Sequence, residues 1–315
     1  MSKTIEILSD LKYKTVVKMG PSWFRNMRLN APDVVDGFEK VGLDIVDKSD
    51  RQTAFVFAPG ASLTQYEGRI HEIDGVIIAT PTAVPWLLDQ NLRPDFVVIV
   101  DSHPKMAQLL TEYDGPLVVP TTVDHAVVEL PNKKYWFKLL FGSTGQADDP
   151  EFGQMNFMIH KMWDNIEKGF VSLGSVTNMA VQITFHLMAE HIIQAKRMVL
   201  MGADYSYWND LGRVPNDGKK APARPLDIDA CVYRGKHTNV RMVYYLWGLY
   251  RLLKSIYLPI FSMSEGTLTE IPYVSFEDIL ANNYPQELTL EELQAKMEAA
   301  LKEFFDTLPS LVEEA

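Results

Sequence analysis

The chain has a single cysteine, Cys231, among 315 residues, so no disulfide can form within it and the fold makes no demand on an oxidising compartment. A lone thiol with no identified partner base carries no catalytic signal either. No apolar run approaches the roughly 20 residues of a membrane span, and the opening MSKTIEILSD lacks the apolar stretch of a secretory signal. The expectation is a cytoplasmic chain with no membrane span. Basic residues are too few for a nucleic-acid surface: 30 Lys and Arg stand against 41 Asp and Glu, and the formal charge of −11 repels a phosphate polymer. There is no internal repeat and no low-complexity segment. What remains is an ordinary globular composition, 47% hydrophobic and 23% charged, long enough to bury a large core.

The strongest positive signal is a recurring piece of grammar. An apolar run from Ala54 to Ala58 breaks into Pro59-Gly60-Ala61-Ser62 before a helix-like segment resumes. Phe96 to Val100 delivers Asp101-Ser102-His103, and Met198 to Met201 delivers Gly202-Ala203-Asp204. In an open α/β sheet ligands bind just past the carboxyl ends of strands, so three such ends with small or acidic residues point to one ligand-binding rim.

Further candidate strands are Val76–Ala79, Leu117–Val119, Trp136–Phe141 and Leu258–Phe261, short and apolar throughout as buried parallel strands are. Helix-like stretches alternate with them: Leu63–Ile73, Thr82–Asn91, Pro104–Tyr113 and Ser175–Gln194, the last with Val176, Met179, Ala180, Ile183 and Leu187 at three- and four-residue steps behind the N-cap Ser175. The alternation predicts a Rossmann-like wound α/β fold with a mostly parallel sheet. Residues 1–50 are expected to form a helical leading segment, 51–285 the wound α/β domain, and 286–315 an amphipathic helix opened by the capping box Thr289-Leu290-Glu291-Glu292. That last helix covers the core or a partner subunit, and its apolar stripe permits a homo-oligomer. Between 208 and 237 lies an irregular stretch carrying Arg213, Lys219, Lys220, Arg224, Arg234 and Lys236, a cationic loop that reads as a lid over an anionic ligand or as a solvated insertion.

The segments AFVFAPGASL, GVIIAT and RPDFVVIVDSHP, followed by LGSVTNMAVQ, RMVLMGADYSYW and FSMSEGTLTEI, resemble the Maf-type (motility-associated factor) glycosyltransferase and 6-hydroxymethylpterin diphosphokinase-like family. The likeness covers roughly residues 50 to 280, in matching order and spacing. The Gly-Ser helix and the Gly-x-Asp strand end are also similar to bacterial sialyltransferases. The resemblance implies a nucleotide-dependent transferase. Departures stand beside it. The first turn reads Ala58-Pro59-Gly60-Ala61-Ser62-Leu63 where the family has Gly-x-Gly-Pro-Ser-Leu. The third strand ends in Asp101-Ser102-His103, without the second acid that clamps magnesium in the diphosphokinase branch. The late Thr-Glu-Gly-Gly is replaced by Ser264-Glu265-Gly266-Thr267.

Sugar transfer from a nucleotide needs a cradle for the departing phosphate and a base for the acceptor hydroxyl. For the donor the candidates are Gly60, Ala61, Ser62, Gly174, Ser175, Asp204, Tyr207, Glu265 and Gly266; Ser175, heading a helix, combines free amides with the helix dipole or serves as a plain N-cap. His237, just before the helix-like run Thr238–Ser255, sits where sialyltransferase-like enzymes place a catalytic histidine, and His103 beside Asp101 is the second candidate base. His186 and His191, five apart, do not share a helical face and argue against a metal pair. Three readings follow: a glycosyltransferase on a nucleotide-sugar donor, working without a metal; a diphosphokinase on a hydroxymethyl heterocycle such as 6-hydroxymethylpterin, needing ATP and Mg²⁺ held in part by Asp101; and a nucleotide-binding protein that has lost catalysis.

Overall fold

The computed structural model describes residues 18–43, 52–140, 156–157, 159–163, 166, 168–172, 174–207, 230–264 and 266–314. Runs rich in Val, Ile and Phe, buried on both faces, build an eight-stranded sheet of β1 (Thr53–Phe57), β2 (Val76–Ala79), β3 (Phe96–Val98), β4 (Leu117–Pro120), β5 (Lys134–Leu140), β6 (Gly169–Val171), β7 (Arg197–Met201) and β10 (Ile260–Ser262). Every pairing in it is parallel, and the order is β10-β7-β1-β2-β3-β4-β5-β6. The fold is therefore the wound α/β architecture the alternation implied. The chain walks outward from β1 to β6, then returns to lay β7 on the other side of β1. That reversal is a topological switch point, the place where the loops of neighbouring strands part and leave a crevice.

Short segments outside the named strands extend the pairing at β5 and at β10. The Trp136 amide donates to the Asp36 carbonyl at 2.8 Å, so the leading segment shields one half of β5 while β6 pairs with the other. At the far edge Pro272–Val274 runs along β10, the Ser262 amide donating to the Pro272 carbonyl and the Val274 amide to the Ser262 carbonyl. An unpaired strand edge would otherwise be a template for aggregation.

Helices cover the sheet. α1 (residues 18–30) docks through buried Asn26 and Asn30, whose amide groups donate to the carbonyls of Thr122, Thr121 and Val123 in the turn after β4. The stretches α2 (Val84–Asp89), α3 (Lys105–Leu109) and α4 (His125–Val128) are short. α5 (Val176–Ala189) packs on β1, β2 and β3; α6 (Val240–Ser255) joins it to α8 (Leu290–Glu314), after the short α7 (Phe276–Leu280). The capping box of α8 is made in both directions, the Thr289 amide donating to Glu292 and the Glu292 amide to the Thr289 hydroxyl. Its apolar stripe of Leu293, Met297, Ala300, Phe304 and Leu308 is buried, with Phe304 stacked on Trp247 of α6.

Some expected elements differ. Leu63–Ile73 is two 3₁₀ turns, Ala61–Tyr66 and Ile70–Glu72, because Gly68 between them takes φ +79° and interrupts any longer helix. The helices at 82–91, 104–113 and 175–194 are shorter than their apolar periodicity suggested. Residues 208–229, most of the expected lid, lie outside the described residues. Its end is ordered: β8 (Ala230–Tyr233) and β9 (Lys236–Asn239) form an antiparallel hairpin, so α6 starts at Val240 rather than Thr238. The turn is Arg234-Gly235, both at positive φ, the backbone that matches strand twist in two-residue hairpins. Arg234 then fixes the hairpin to the body. Its guanidinium forks onto Glu303 of α8, at 2.9 and 2.6 Å, and also donates to Glu270 and the Tyr250 hydroxyl.

The hydrogen bonds from Arg234 hold the Glu303 carboxyl below its ordinary pKa. A lowered folded-state pKa stabilises above the unfolded value and is lost as the pH falls through the folded one. Glu303→Gln is expected to cost about 1 kcal/mol at neutral pH, since the pair is partly exposed to solvent, and the gap should close below about pH 4. Urea unfolding of both proteins from pH 7 to pH 3 checks this.

Candidate functional site

Three strand exits meet at Asp204. β7 ends at Met201, and Gly202 turns the chain at φ +64°, where a side chain would strike the Ala58 carbonyl. Asp204 follows with its carboxylate buried, and one oxygen accepts from the Ser62 amide at 3.0 Å. The other accepts from the hydroxyls of Ser62, after β1, and Ser264, after β10. A buried carboxylate is tolerable only when hydrogen bonds replace its water, and these donors do so. The approach is close enough to demand glycine on both flanks. A Cβ on Gly60 would lie 2.1 Å from the Gly202 carbonyl, and one on Gly266 would lie 1.9 Å from the Asp204 carbonyl.

The next residues carry the clamp to the helices. Tyr205 adopts φ +50°, an uncommon backbone for a non-glycine residue, and is held there from several directions. Its hydroxyl donates to Asn178 of α5 at 2.8 Å, and its carbonyl accepts from Thr238. Burial pushes the Tyr205 phenol well above its ordinary pKa, so it acts as a neutral donor. The Tyr207 amide donates to the His237 carbonyl at 2.7 Å, and its hydroxyl accepts from Asn239, the N-cap of α6, at 3.0 Å.

The N-terminal turns of α5 and α6 are thereby drawn together. Ser175 caps α5, its hydroxyl accepting from the Asn178 amide at 3.1 Å, and Asn178 also donates to the Tyr245 carbonyl. Gly174, exposed at φ +89°, lies against Tyr244 and Tyr245, where a Cβ would stand 3.0 Å from either ring. Neither helix has an acid in its first turn. The α6 turn instead carries Arg241, exposed and in no ion pair with any described residue. A cation there opposes the helix dipole, at a cost of a few tenths of a kcal/mol on an exposed surface. Arg241 shares a face with Tyr245, four residues on. Burial raises the Tyr245 phenol pKa, with Arg241 opposing and Asp101 adding to the shift. Asp101, from the β3 exit, thus belongs to the same neighbourhood.

The sequence candidates fall into two groups. Gly60, Ala61, Ser62, Asp204 and Gly266 are buried around the clamp, and the Gly60 amide is already given to the Gly202 carbonyl at 2.8 Å. Asp101, His103, Gly174, Ser175 and Tyr207 line the α5 and α6 side, the first three exposed. One Asp101 oxygen accepts from the His103 amide at 2.9 Å, and the other has no partner among the described residues. The His103 Nδ1 accepts from the Lys105 amide at 3.1 Å, so the neutral ring carries its proton on Nε2 and offers a donor there. His237 stands on the exposed face of the hairpin and joins the site through its main chain. Glu265 lies outside the described residues. His186 packs against Phe38 and Phe170. Arg241, Tyr245, Asn178 and Asn239 were missed by sequence reasoning; an asparagine cap followed at once by an arginine was the available signal.

A family model described as 6-hydroxymethylpterin diphosphokinase MptE-like matches residues 25–210, from α1 to the exit of β7. The chain belongs to the MptE-like family. Membership sets this MptE-like chain among transferase-like proteins. A solved structure, of the Maf glycosyltransferase from Magnetospirillum magneticum AMB-1, is similar at 15% identity and a TM-score of 0.49, over 81% of this chain and 37% of that one. This MptE-like chain therefore spans little more than a third of that protein, and the match is too loose to argue from. No curated protein sequence matches.

Among the described residues no group of three or more His, Cys, Asp or Glu side chains is arranged to hold a metal ion. Asp101 could give one oxygen to a magnesium ion whose remaining ligands came from substrate phosphates and water.

If the carboxylate is the clamp, Asp204→Asn should destabilise the protein by about 2 kcal/mol, since an NH₂ would replace one acceptor among buried donors. Urea denaturation measures it. A loss below about 0.5 kcal/mol would show that the strand exits hold together without the charge.

Proposed function

We propose that the chain transfers a sugar from a nucleotide-sugar donor to a hydroxyl acceptor, in the crevice at the exits of β1, β3 and β7. The observation that carries this reading is Arg241, a cation in the first turn of α6 with no ion pair among the described residues, beside Tyr245 and across from the first turn of α5. Sugar transfer leaves negative charge on the departing phosphate, and a guanidinium with free helix-terminal amides stabilises such charge without a metal. In this reading Ser175 and Gly174 face the phosphate, Asp101 takes the acceptor's proton, and His103 donates a hydrogen bond through Nε2; His237, the base expected from the sequence, contributes its main chain only. Gly60, Ala61, Ser62, Asp204 and Gly266 act by positioning the loops, and Tyr207 by holding α6 at its cap; for Glu265 the assignment to the donor rests on the sequence motif alone. A nucleotide-activated donor is then the partner; the acceptor is a hydroxyl compound.

A second reading is favoured by the family's description: a Mg²⁺-dependent diphosphokinase, with Asp101 contributing to the metal. The described exits of β1, β3 and β7 offer one exposed carboxylate, Asp101, so the metal would lean on substrate phosphates for most of its shell.

Thermal unfolding with CMP-, UDP- and GDP-sugars and with ATP, each with and without Mg²⁺, separates the two. Sugar transfer predicts stabilisation by one nucleotide sugar in the absence of metal, about 2.7 kcal/mol at 100 times its Kd. Stabilisation by ATP with Mg²⁺ alone would overturn it in favour of the diphosphokinase, and stabilisation without turnover of any acceptor would leave a binding protein.

Arg241→Gln should weaken the same ligand by about 10- to 100-fold, read by titration calorimetry. Unchanged affinity would remove Arg241 from the site.

A further inference from the structure

The described part of the leading segment closes with a 3₁₀ turn, Phe38–Leu43, that packs on β4 and β5. Phe38 is buried against two rings: its centroid lies 5.0 Å from that of Phe170 in β6 and 5.4 Å from that of His186 in α5. His186 and Phe170 meet edge-on at 5.8 Å, so one imidazole closes a triangle that joins the leading segment, the edge strand and a helix. That imidazole has no provision for charge. Its Nε2 is shut off from water and has no hydrogen-bond partner, and in the imidazolium, where both nitrogens carry protons, this N–H would stay buried and unpaired. Among the described residues three charged groups surround the ring. Glu190, the C-cap of α5, stands 3.6 Å from Nε2 but is exposed, and the same carboxylate oxygen accepts from Lys168 at 3.4 Å. Lys168 adds a like charge, and Glu39, next to Phe38, a weaker opposite one. Burial and Lys168 together lower the His186 pKa by more than the two carboxylates raise it.

We propose that His186 is an acid-sensitive latch on the leading segment: neutral, it completes the contact with Phe38 and Phe170; protonated, it leaves that contact, and the segment loosens from the edge of the sheet while the central strands stay folded. The direction follows from linkage. A histidine that the fold keeps neutral adds stability above its unfolded value, and the contribution is lost as the pH falls through the folded one, so the window opens below about pH 6.5. A reporter is built in, because the Trp136 amide of β5 donates to the Asp36 carbonyl at 2.8 Å only while the segment is docked. The latch involves none of the residues assigned to the donor crevice and stands or falls independently of the reaction proposed there.

Amide hydrogen exchange of the full chain, corrected for the intrinsic pH dependence of exchange, tests it. From about pH 7.5 to about pH 5.5 the protection of the Trp136 amide should fall roughly threefold to tenfold, the range open to one linked proton, while the amides of β1 keep theirs. His186→Phe retains an aromatic ring that cannot take up a proton, and its Trp136 protection should not change over the same range. His186→Gln, which gives up the ring contacts, should show lower protection at the upper pH and the same flat profile, so the reading survives if the phenylalanine variant fails to fold by circular dichroism. No fall in the unsubstituted chain, an equal fall in the variants, or a parallel loss of protection in β1 would overturn the proposal.

Discussion

A single buried carboxylate decides how the rim of this sheet is built. Parallel strands leave their carboxyl ends as separate loops, and nothing in the sheet's own hydrogen bonding ties one exit to the next. Asp204 supplies the tie, taking donors from the loops after β1 and β10 while its own main chain continues β7. Removing a carboxylate from water is costly, so the arrangement holds only as a complete set: acid, two serines, an amide, and glycines small enough to let the three chains touch.

From that clamp the order of the crevice follows in sequence. Tyr205 and Tyr207 extend it by two hydrogen bonds to asparagines, one inside the first turn of α5 and one at the cap of α6. The result is a braced seat under two neighbouring helix N-termini, with Arg241 in the first turn of α6. Rigidity at the seat is what an electrostatic site needs, because dipoles already aimed need no reorganisation when charge develops.

Much of this architecture was legible in the chain. Continuous apolar runs gave the strands and their small-residue exits gave the rim, because burial on both faces leaves no polar alternation to misread. The capping box of α8 and the cap at Ser175 were equally direct. The hairpin β8–β9 was not, since Cys231, Val232, Tyr233 and His237 alternate over too few residues to stand out from the cationic stretch before them. Nor could sequence show that the hydroxyl of Ser62 and the carboxylate of Asp204 face one another. Their pairing depends on β1 and β7 being neighbours, a fact of topology that no local pattern carries. Arg241 and Tyr245 stayed hidden for the same reason: their meaning comes from the helix lying across from them.

The position of β1 also bears on how the protein is made. One of its two neighbours, β2, follows within a few dozen residues, but the other begins at residue 197. As the chain leaves the ribosome, the central strand waits with one side bare until most of the polypeptide has been synthesised. Long-range parallel closure of this kind is slow, and the exposed flank is a point at which a chaperone or a wrong strand can engage.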